Sequence, residues 1–174
     1  MKVKDLEFRK FISEEKISER VKTLAGQINT DYKDKTPLFL PILNGSFIFA
    51  ADLIKEISLS CRLSFVKVSS YQGVQSTGQL KTLIGHEESL FQQDIIVVED
   101  IIDSGLTLEK ILKELGDLGA TSVEAVCLLR KKPARDKGIT AKYIGFEIED
   151  EFVLGYGLDY DGLGRNLKEI YRAK

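Results

Sequence analysis

The chain has 174 residues, of which 43% are hydrophobic and 30% charged, a mix that suits one soluble globular domain and excludes a disordered, fibrous or disulfide-stapled class. Lys plus Arg number 25 against 27 Asp plus Glu, a net charge of -2, so no broad basic field recruits nucleic acid and any anion site must be local. No run approaches the roughly 18 apolar residues of a membrane span, and nothing after Met1 resembles a signal peptide, so a cytoplasmic location is expected.

Ser13 can cap a helix whose apolar stripe, Ile17, Val21, Leu24 and Ile28, recurs at helical spacing. Leu38 to Leu43 reads as a strand in which Pro41 removes one ladder donor, and Asn44-Gly45-Ser46 ends it. Phe47, Ala50, Ala51, Ile54 and Ile57 make a second helical stripe. Leu63, Phe65 and Val68 begin a further strand before the long polar loop Ser69 to Gln79. Ile95-Ile96-Val97-Val98 is β-branched and apolar on both faces, the pattern of a strand buried within a parallel sheet. Leu108, Ile111, Leu112, Leu115 and Leu118 form a third helical stripe, closed by Gly119, and Val123 to Leu129 supplies another strand. Cys61 and Cys127, far apart in strand-like segments, are expected as reduced core thiols.

Two strand-helix-strand units, beginning near Leu38 and Ile95, predict an α/β fold: a doubly wound, mostly parallel sheet flanked by helices, with ligands at the carboxyl ends of its strands. From Lys142 onward, β-like pieces mixed with Gly155, Gly157, Gly162 and Gly164 predict a small lobe laid against that sheet.

Chemistry concentrates where the strand from Ile95 runs into Glu99-Asp100-Ile101-Ile102-Asp103-Ser104-Gly105-Leu106-Thr107. Ser104, Gly105 and Thr107 can present N–H groups and hydroxyls at a helix N-terminus, where unpaired donors and the helix dipole favour phosphate. Carboxylates there would repel it unless they face ribose hydroxyls or magnesium held between substrate oxygens. Glu99 and Asp100 suit the hydroxyls, Asp103 a proton. Capping of the helix would explain one of these acids, hardly three. Neither a Walker loop nor a dinucleotide fingerprint occurs.

The run Val97 to Thr107 resembles the phosphoribosyl pyrophosphate motif of type I phosphoribosyltransferases, in the version found in enzymes for 6-oxopurines. Adenine enzymes more often carry alanine at the position of Asp103. The resemblance covers nearly the whole chain from Leu38 onward. It implies one domain over 1–174, with a core of about 36–140 and a hood from the N-terminal segment and about 141–174. It also implies that Asp103 acts as general base or acid at purine N7, that Glu99 and Asp100 contact the ribose, and that Ser104, Gly105, Leu106 and Thr107 complete the phosphoribosyl pyrophosphate site.

Asn44 and Gly45 lie in a stretch that resembles the pyrophosphate loop, where human-type enzymes carry lysine in place of Asn44. Ser70 to Gln79 resembles a mobile lid, with Ser70 and Tyr71 nearest the substrate; such a lid would shield an oxocarbenium-like ribose from water. Gly145 to Tyr160 resembles the purine-binding end, in which Phe152 stacks on the base, Val153 offers backbone groups, and Leu158 and Asp159 adjoin it. Lys131, or the adjacent Lys132, would donate to the purine O6. Arg165 would meet pyrophosphate, for which a guanidinium is well suited, although Asp159 and Arg165 could instead pair with each other. Glu99, Asp100 and Asp159 would hold magnesium directly or through water and substrate.

The activity so implied is purine salvage: transfer of a 5-phosphoribosyl group from phosphoribosyl pyrophosphate to hypoxanthine or guanine, with magnesium as cofactor and a homodimer or homotetramer as the assembly. No nucleic-acid or membrane partner is expected. A xanthine-preferring relative and a nucleic-acid-binding regulator of the same fold are the alternatives, and the near-neutral charge argues against the second.

Overall fold

A computed structural model of the chain describes residues 1–67, 81–84, 89–138 and 140–174, with residues 81–84 described in their backbone only. Ser70 and Tyr71, the residues assigned to the lid, lie outside the described residues, as does Val68.

The chain opens with a hairpin of β1 (Lys2–Val3) and β2 (Leu6–Ile12). Ser13 then caps α1 (Glu14–Asp31): its hydroxyl accepts the Lys16 N–H, and Glu14 and Glu15 meet the positive end of the helix dipole. The stripe Ile17, Val21, Leu24 and Ile28 is buried. There follow β3 (Leu38–Leu43), α2 (Phe47–Glu56), β4 (Arg62–Leu63), β5 (Phe65–Lys67), β6 (Lys81–Ile84), β7 (Asp94–Ile102), α3 (Leu106–Asp117) and β8 (Ser122–Lys131). The short α4 (Lys132–Asp136), β9 (Tyr143–Ile148), β10 (Val153–Leu154) and β11 (Ile170–Ala173) complete it.

The larger sheet has the order β6-β5-β3-β7-β8-β9, with β4 also paired to β3. Its pairings are parallel except that of β5 with β6. Both faces are covered, as a parallel sheet requires. Along β7, Ile96 and Val98 join Leu24, Phe39 and Phe49 in one cluster, while the alternate residues Ile95 and Val97 join Ile111 and Leu115 of α3 in the other. The chain leaves β3 toward β5 on one side and β7 toward β8 on the other, so the topological switch point, where open α/β sheets bind ligands, lies between β3 and β7. A second, antiparallel sheet of order β1-β2-β11-β10 joins the two chain ends.

Several elements differ from their sequence expectation. The buried face of α2 is Phe49, Ala50 and Leu53, with Phe47 and Ala51 outward, because the helix follows so closely on the loop that its first residue remains at the rim. β7 continues past Val98 to Ile102, since β8 pairs with it as far as Arg130, so Glu99 and Asp100 belong to the strand. β9, expected in the lobe after about residue 141, extends the larger sheet beside β8. Pro41 sits where the neighbouring edge breaks between β4 and β5, so its missing N–H interrupts no registered pair there.

Leu53 is fully buried in the cluster between α2 and the sheet, so Leu53→Ala should cost about 2–5 kcal/mol in equilibrium unfolding. A loss below about 1 kcal/mol would mean that α2 collapses onto the gap. The two thiols are free, and burial pushes both upward, Cys127 well above the ordinary thiol range. Folding favours the protonated thiol, so its stabilising contribution is intact below the unfolded thiol's range and is lost as pH rises through the folded value. In mildly alkaline buffer a thiol reagent should label Cys61 slowly and Cys127 only after unfolding; labelling of native Cys127 would contradict its burial.

Candidate active site

Strand register assembles the site. Pro41 pairs with Val98, which brings the end of β3 level with Asp100. Ile102 pairs with Arg130, so Asp103, one residue on, comes beside Lys131. Lys131 pairs with Ile148, so the segment after β9 also starts at Lys131. Four strand ends, those of β3, β7, β8 and β9, therefore meet at one edge.

The adjacent acids at the end of β7 reach different surroundings, although their carboxyl groups still meet. Glu99 lines a cavity of about 280 Å³ on the α3 side, together with Asp103, Ser104, Gly105 and Thr107. Asp100 turns toward the loop between β3 and α2: its Oδ1 accepts the Ile101 N–H at 2.8 Å, and its carboxylate packs so tightly on Gly45 that a Cβ there would fall 1.6 Å from Oδ2. From another side, a Cβ on Gly157 would fall 2.1 Å from the Gly45 carbonyl oxygen. The loop at Asn44 and Gly45 is thus gripped between Asp100 and Gly157, and neither glycine can take a side chain without displacing it. Below it, the buried Ser46 hydroxyl donates to the Ile42 carbonyl at 2.6 Å and ties the turn to the strand. Asn44 itself is exposed, and the Leu43–Asn44 peptide is cis.

Gly105 precedes α3 with φ of 82°, a left-handed conformation that glycine adopts freely, and no side chain caps the helix. The first-turn N–H groups beside Ser104 and Thr107 consequently face the cavity mouth as donors for an anion. Leu106 is exposed, which leaves its N–H as what it can contribute. Glu99 is only 8% exposed. Burial raises its carboxyl well above the ordinary carboxylate range, and the Asp100 side chain adds to the rise as hydrogen-bond partner and like charge, against a smaller opposing effect of the Asp100 N–H. A carboxyl held this way is readily returned to its charged form by a cation or by hydroxyl donors.

At the other end, Lys131 Nζ lies 3.2 Å from Asp103 Oδ1 and 3.2 Å from Asp150 Oδ1. Lys132 points away, 3.5 Å from Glu149 on the surface. Phe152, 44% exposed, meets Tyr160 edge-on at 5.4 Å and tilts against Phe8 at 6.1 Å, so one side of its ring is braced while much of it is accessible. Val153 lies opposite Arg172, and the Ala173 N–H donates to the Phe152 carbonyl at 2.9 Å. Such a position in an antiparallel ladder exchanges no bond with its partner, so the Val153 N–H and C=O turn to the open edge of the small sheet. Leu158 is buried behind that edge. Arg165 donates to the Gly157 carbonyl at 2.7 Å and pairs with Asp159 at 2.6 Å, while Asp159 also accepts the Gly162 N–H. These two residues pair with each other, and through Gly157 they adjoin the loop at Gly45.

The structure thus gathers Glu99, Asp100, Asp103 and the start of α3 with Asn44, Gly45, Lys131 and, through Asp150, the segment leading to Phe152. Sequence reasoning gave no individual role to Asp150, Gly157, Tyr160 or Ser46, although all four lie in stretches that carry the resemblance. The acidic run Glu149 to Glu151 beside the basic run Arg130 to Lys132 was a visible signal for the first; the close approach at Gly157 had none. A larger cleft of about 360 Å³, between α1, α2 and residues 166–168, contains none of the residues assigned to the site from sequence.

Comparison with known proteins agrees with this geometry. The family described as "Phosphoribosyl transferase domain" matches residues 12–161. The hypoxanthine-guanine phosphoribosyltransferase of Bacillus subtilis is 42% identical over 160 residues, 91% of this chain and 89% of that protein. A crystal structure of a hypoxanthine-guanine phosphoribosyltransferase from Bacillus anthracis superposes with a TM-score of 0.87 at 37% identity, covering 98% of this chain and 100% of the other. A Trypanosoma cruzi hypoxanthine phosphoribosyltransferase variant solved with the product IMP gives a TM-score of 0.87 at 32% identity, over 100% and 93% of the two chains. With its α/β sheet, its acidic strand end leading into an uncapped helix and these matches along nearly its whole length, the chain belongs to the type I phosphoribosyltransferase family.

Proposed function

We propose that the protein transfers the 5-phosphoribosyl group of phosphoribosyl pyrophosphate to hypoxanthine or guanine, releasing pyrophosphate and IMP or GMP. The observation that carries this reading is the Lys131 ammonium beside Asp103, at the junction of the anion-binding helix start and the aromatic end of the site. A protonated lysine donates and cannot accept, so it suits a 6-oxo group and disfavours a 6-amino group. The likeness to hypoxanthine-guanine phosphoribosyltransferases supports the same choice.

In this reading the donors of α3 and Thr107 take the ribose 5-phosphate, and the loop at Asn44 and Gly45, with Arg165, takes the pyrophosphate. Purine N9 forms its bond to the ribose C1 as the C1–O bond breaks, its electron pair leaving with pyrophosphate. Asp103 accepts the proton that N7 loses. Glu99 and Asp100 hold the ribose hydroxyls and stabilise the positive charge that grows on the ring; such electrostatic stabilisation is the main source of rate. Phe152 stacks on the base, Val153 meets its edge, and Leu158 backs the pocket.

Among the described residues no three His, Cys, Asp or Glu side chains form a metal cage. The donor set therefore fits magnesium that arrives with the substrate, held by one or two carboxylates and completed by substrate oxygens and water. Glu99 and Asp100 would hold it, with Asp159 reaching it through water once released from Arg165. Bound there, magnesium would supply positive charge against the pyrophosphate oxygens.

The free thiols and the absence, among the described residues, of a helix able to cross a membrane are compatible with a cytoplasmic setting. A homodimer or homotetramer is the expected assembly.

A phosphoribosyl pyrophosphate-dependent assay with hypoxanthine, guanine, xanthine and adenine in parallel should show turnover of the first two, dependence on magnesium and none with adenine. Turnover led by xanthine would favour the xanthine-preferring alternative, and turnover of adenine would remove the role given to Lys131. Asp103→Asn should lower kcat by about 10²- to 10⁴-fold, the usual range for a lost general base, with substrate KM values little changed. Survival of wild-type kcat would show that the N7 proton leaves by another route.

A further inference from the structure

Asp150 reaches the site although the resemblance over 145–160 gave it no role of its own. It lies between β9 and β10, two residues before Phe152, within a run of three acids each held by a different cation. Glu149 pairs with Lys132 at 3.5 Å, Asp150 with Lys131 at 3.2 Å and Glu151 with Arg172 at 2.6 Å. The Glu151 N–H also donates to the Glu149 carbonyl at 2.8 Å, which bends the segment around Asp150. The outer two pairs fasten the turn to α4 and β11. The middle pair points inward.

Lys131 is the fixed member of that pair. Its side chain is 11% exposed, whereas those of Asp103 and Asp150 are 65% and 67% exposed, so the two carboxylates approach a buried stem from the open side. An ammonium has three N–H donors. One is donated to Asp150, and the ammonium also pairs with Asp103, so these two carboxylates set the direction left for a donor to the base.

We propose that Asp150 is a positioning residue for base recognition: it aims a donor of Lys131 at the purine 6-oxo group and keeps the ammonium in place when Asp103 takes the N7 proton. This rests on the functional reading above. When Asp103 becomes neutral its attraction for Lys131 falls. A lysine held by Asp103 alone would then be free to rotate away at the moment the 6-oxo group needs it. Asp150 carries no proton in the reaction and remains a charged anchor throughout. It also couples the turn before Phe152 to Lys131, so the stacking ring and the O6 donor are set by the same contact.

The role predicts a split in kinetic constants that a general loss of folding would not produce. Asp150→Asn in the full-length enzyme should raise KM for hypoxanthine about tenfold, the scale expected when a charged hydrogen-bond partner is lost, while KM for phosphoribosyl pyrophosphate changes less than about twofold. Asp150→Glu, which keeps the charge, should recover most of the loss. In a Lys131→Met background the further change Asp150→Asn should have no added effect, because the residue acts through Lys131. An unchanged KM for hypoxanthine in Asp150→Asn, equal rises in both KM values, or full additivity with Lys131→Met would each overturn the proposal. Wild-type protein that turns over no 6-oxopurine would instead remove the functional reading on which it rests, whereas wild-type turnover with an unaffected Asp150→Asn would remove only the role of Asp150.

Discussion

The parallel ladder of β7 is what sets the acids of the site, the start of α3 and Lys131 against one another. It is paired with β3 along one side and with β8 along the other, and its apolar residues are buried on both faces. Burial of each such side chain contributes about 1.5–3 kcal/mol, so the run Ile95 to Val98 strongly resists any other register. A slip of one residue would exchange the surroundings of Glu99 and Asp100 and draw Asp103 away from Lys131. On the proposed reading the chemistry falls to the last residues of this strand and the turn after it, whose geometry follows from the packing of the first four.

That ladder also explains how an anion site tolerates so many acids. Glu99 lines the cavity on the α3 side and Asp100 packs on the loop at Gly45, while Asp103, beyond the last registered pair, is met by Lys131. On the proposed reading the helix start meets its anion in a cavity that Glu99 and Asp103 both line; burial raises the Glu99 carboxyl, and Asp103 is paired with Lys131. Pyrophosphate, on the other side, would meet the Gly45 backbone and Arg165. The apparent conflict between phosphate and carboxylates is eased by the burial of one acid and the pairing of the other.

Features with a local cause were legible in the sequence. The stripe of α1 and its Ser13 cap, the two-sided burial of Ile95 to Val98 and the uncapped glycine start of α3 each follow from residues within a few positions of one another. What escaped needed partners far along the chain. The extension of β7 through Asp100 depends on how far β8 runs, and the place of β9 in the large sheet depends on its pairing with Val126 to Lys131. In α2 the stripe misled because Phe47 and Ala51 fit helical spacing as well as Phe49 and Leu53 do; which face turns inward was decided by α1 and the sheet. Asp150 was hidden for a related reason. In sequence it is one acid among three, and only the register of β8 with β9 distinguishes the one that reaches Lys131.

On the proposed reading, the same geometry separates the groups that hold the ribose phosphate from those that read the base. The anion-binding helix start and the acids of β7 are built on the buried core of the larger sheet. The groups proposed to read the purine are divided: Lys131 stands on that sheet, while Phe152 and Val153 stand on the edge of the smaller one. On the proposed reading, Lys131 decides between oxygen and an amino group at C6, because it can only donate. The 2-position is read differently. Val153 turns both a donor and an acceptor to the open edge, so its C=O can accept from the amino group of guanine and its N–H can serve the oxygen of xanthine, whereas hypoxanthine asks nothing of either. Preference at C2 therefore depends on which of these two groups the base meets, and that is set by the two-residue strand β10 and its pairing with β11. The Asp150 contact to Lys131 is one link between the two sheets at the site, so it ties the position of β10 to the cation that fixes the purine at C6.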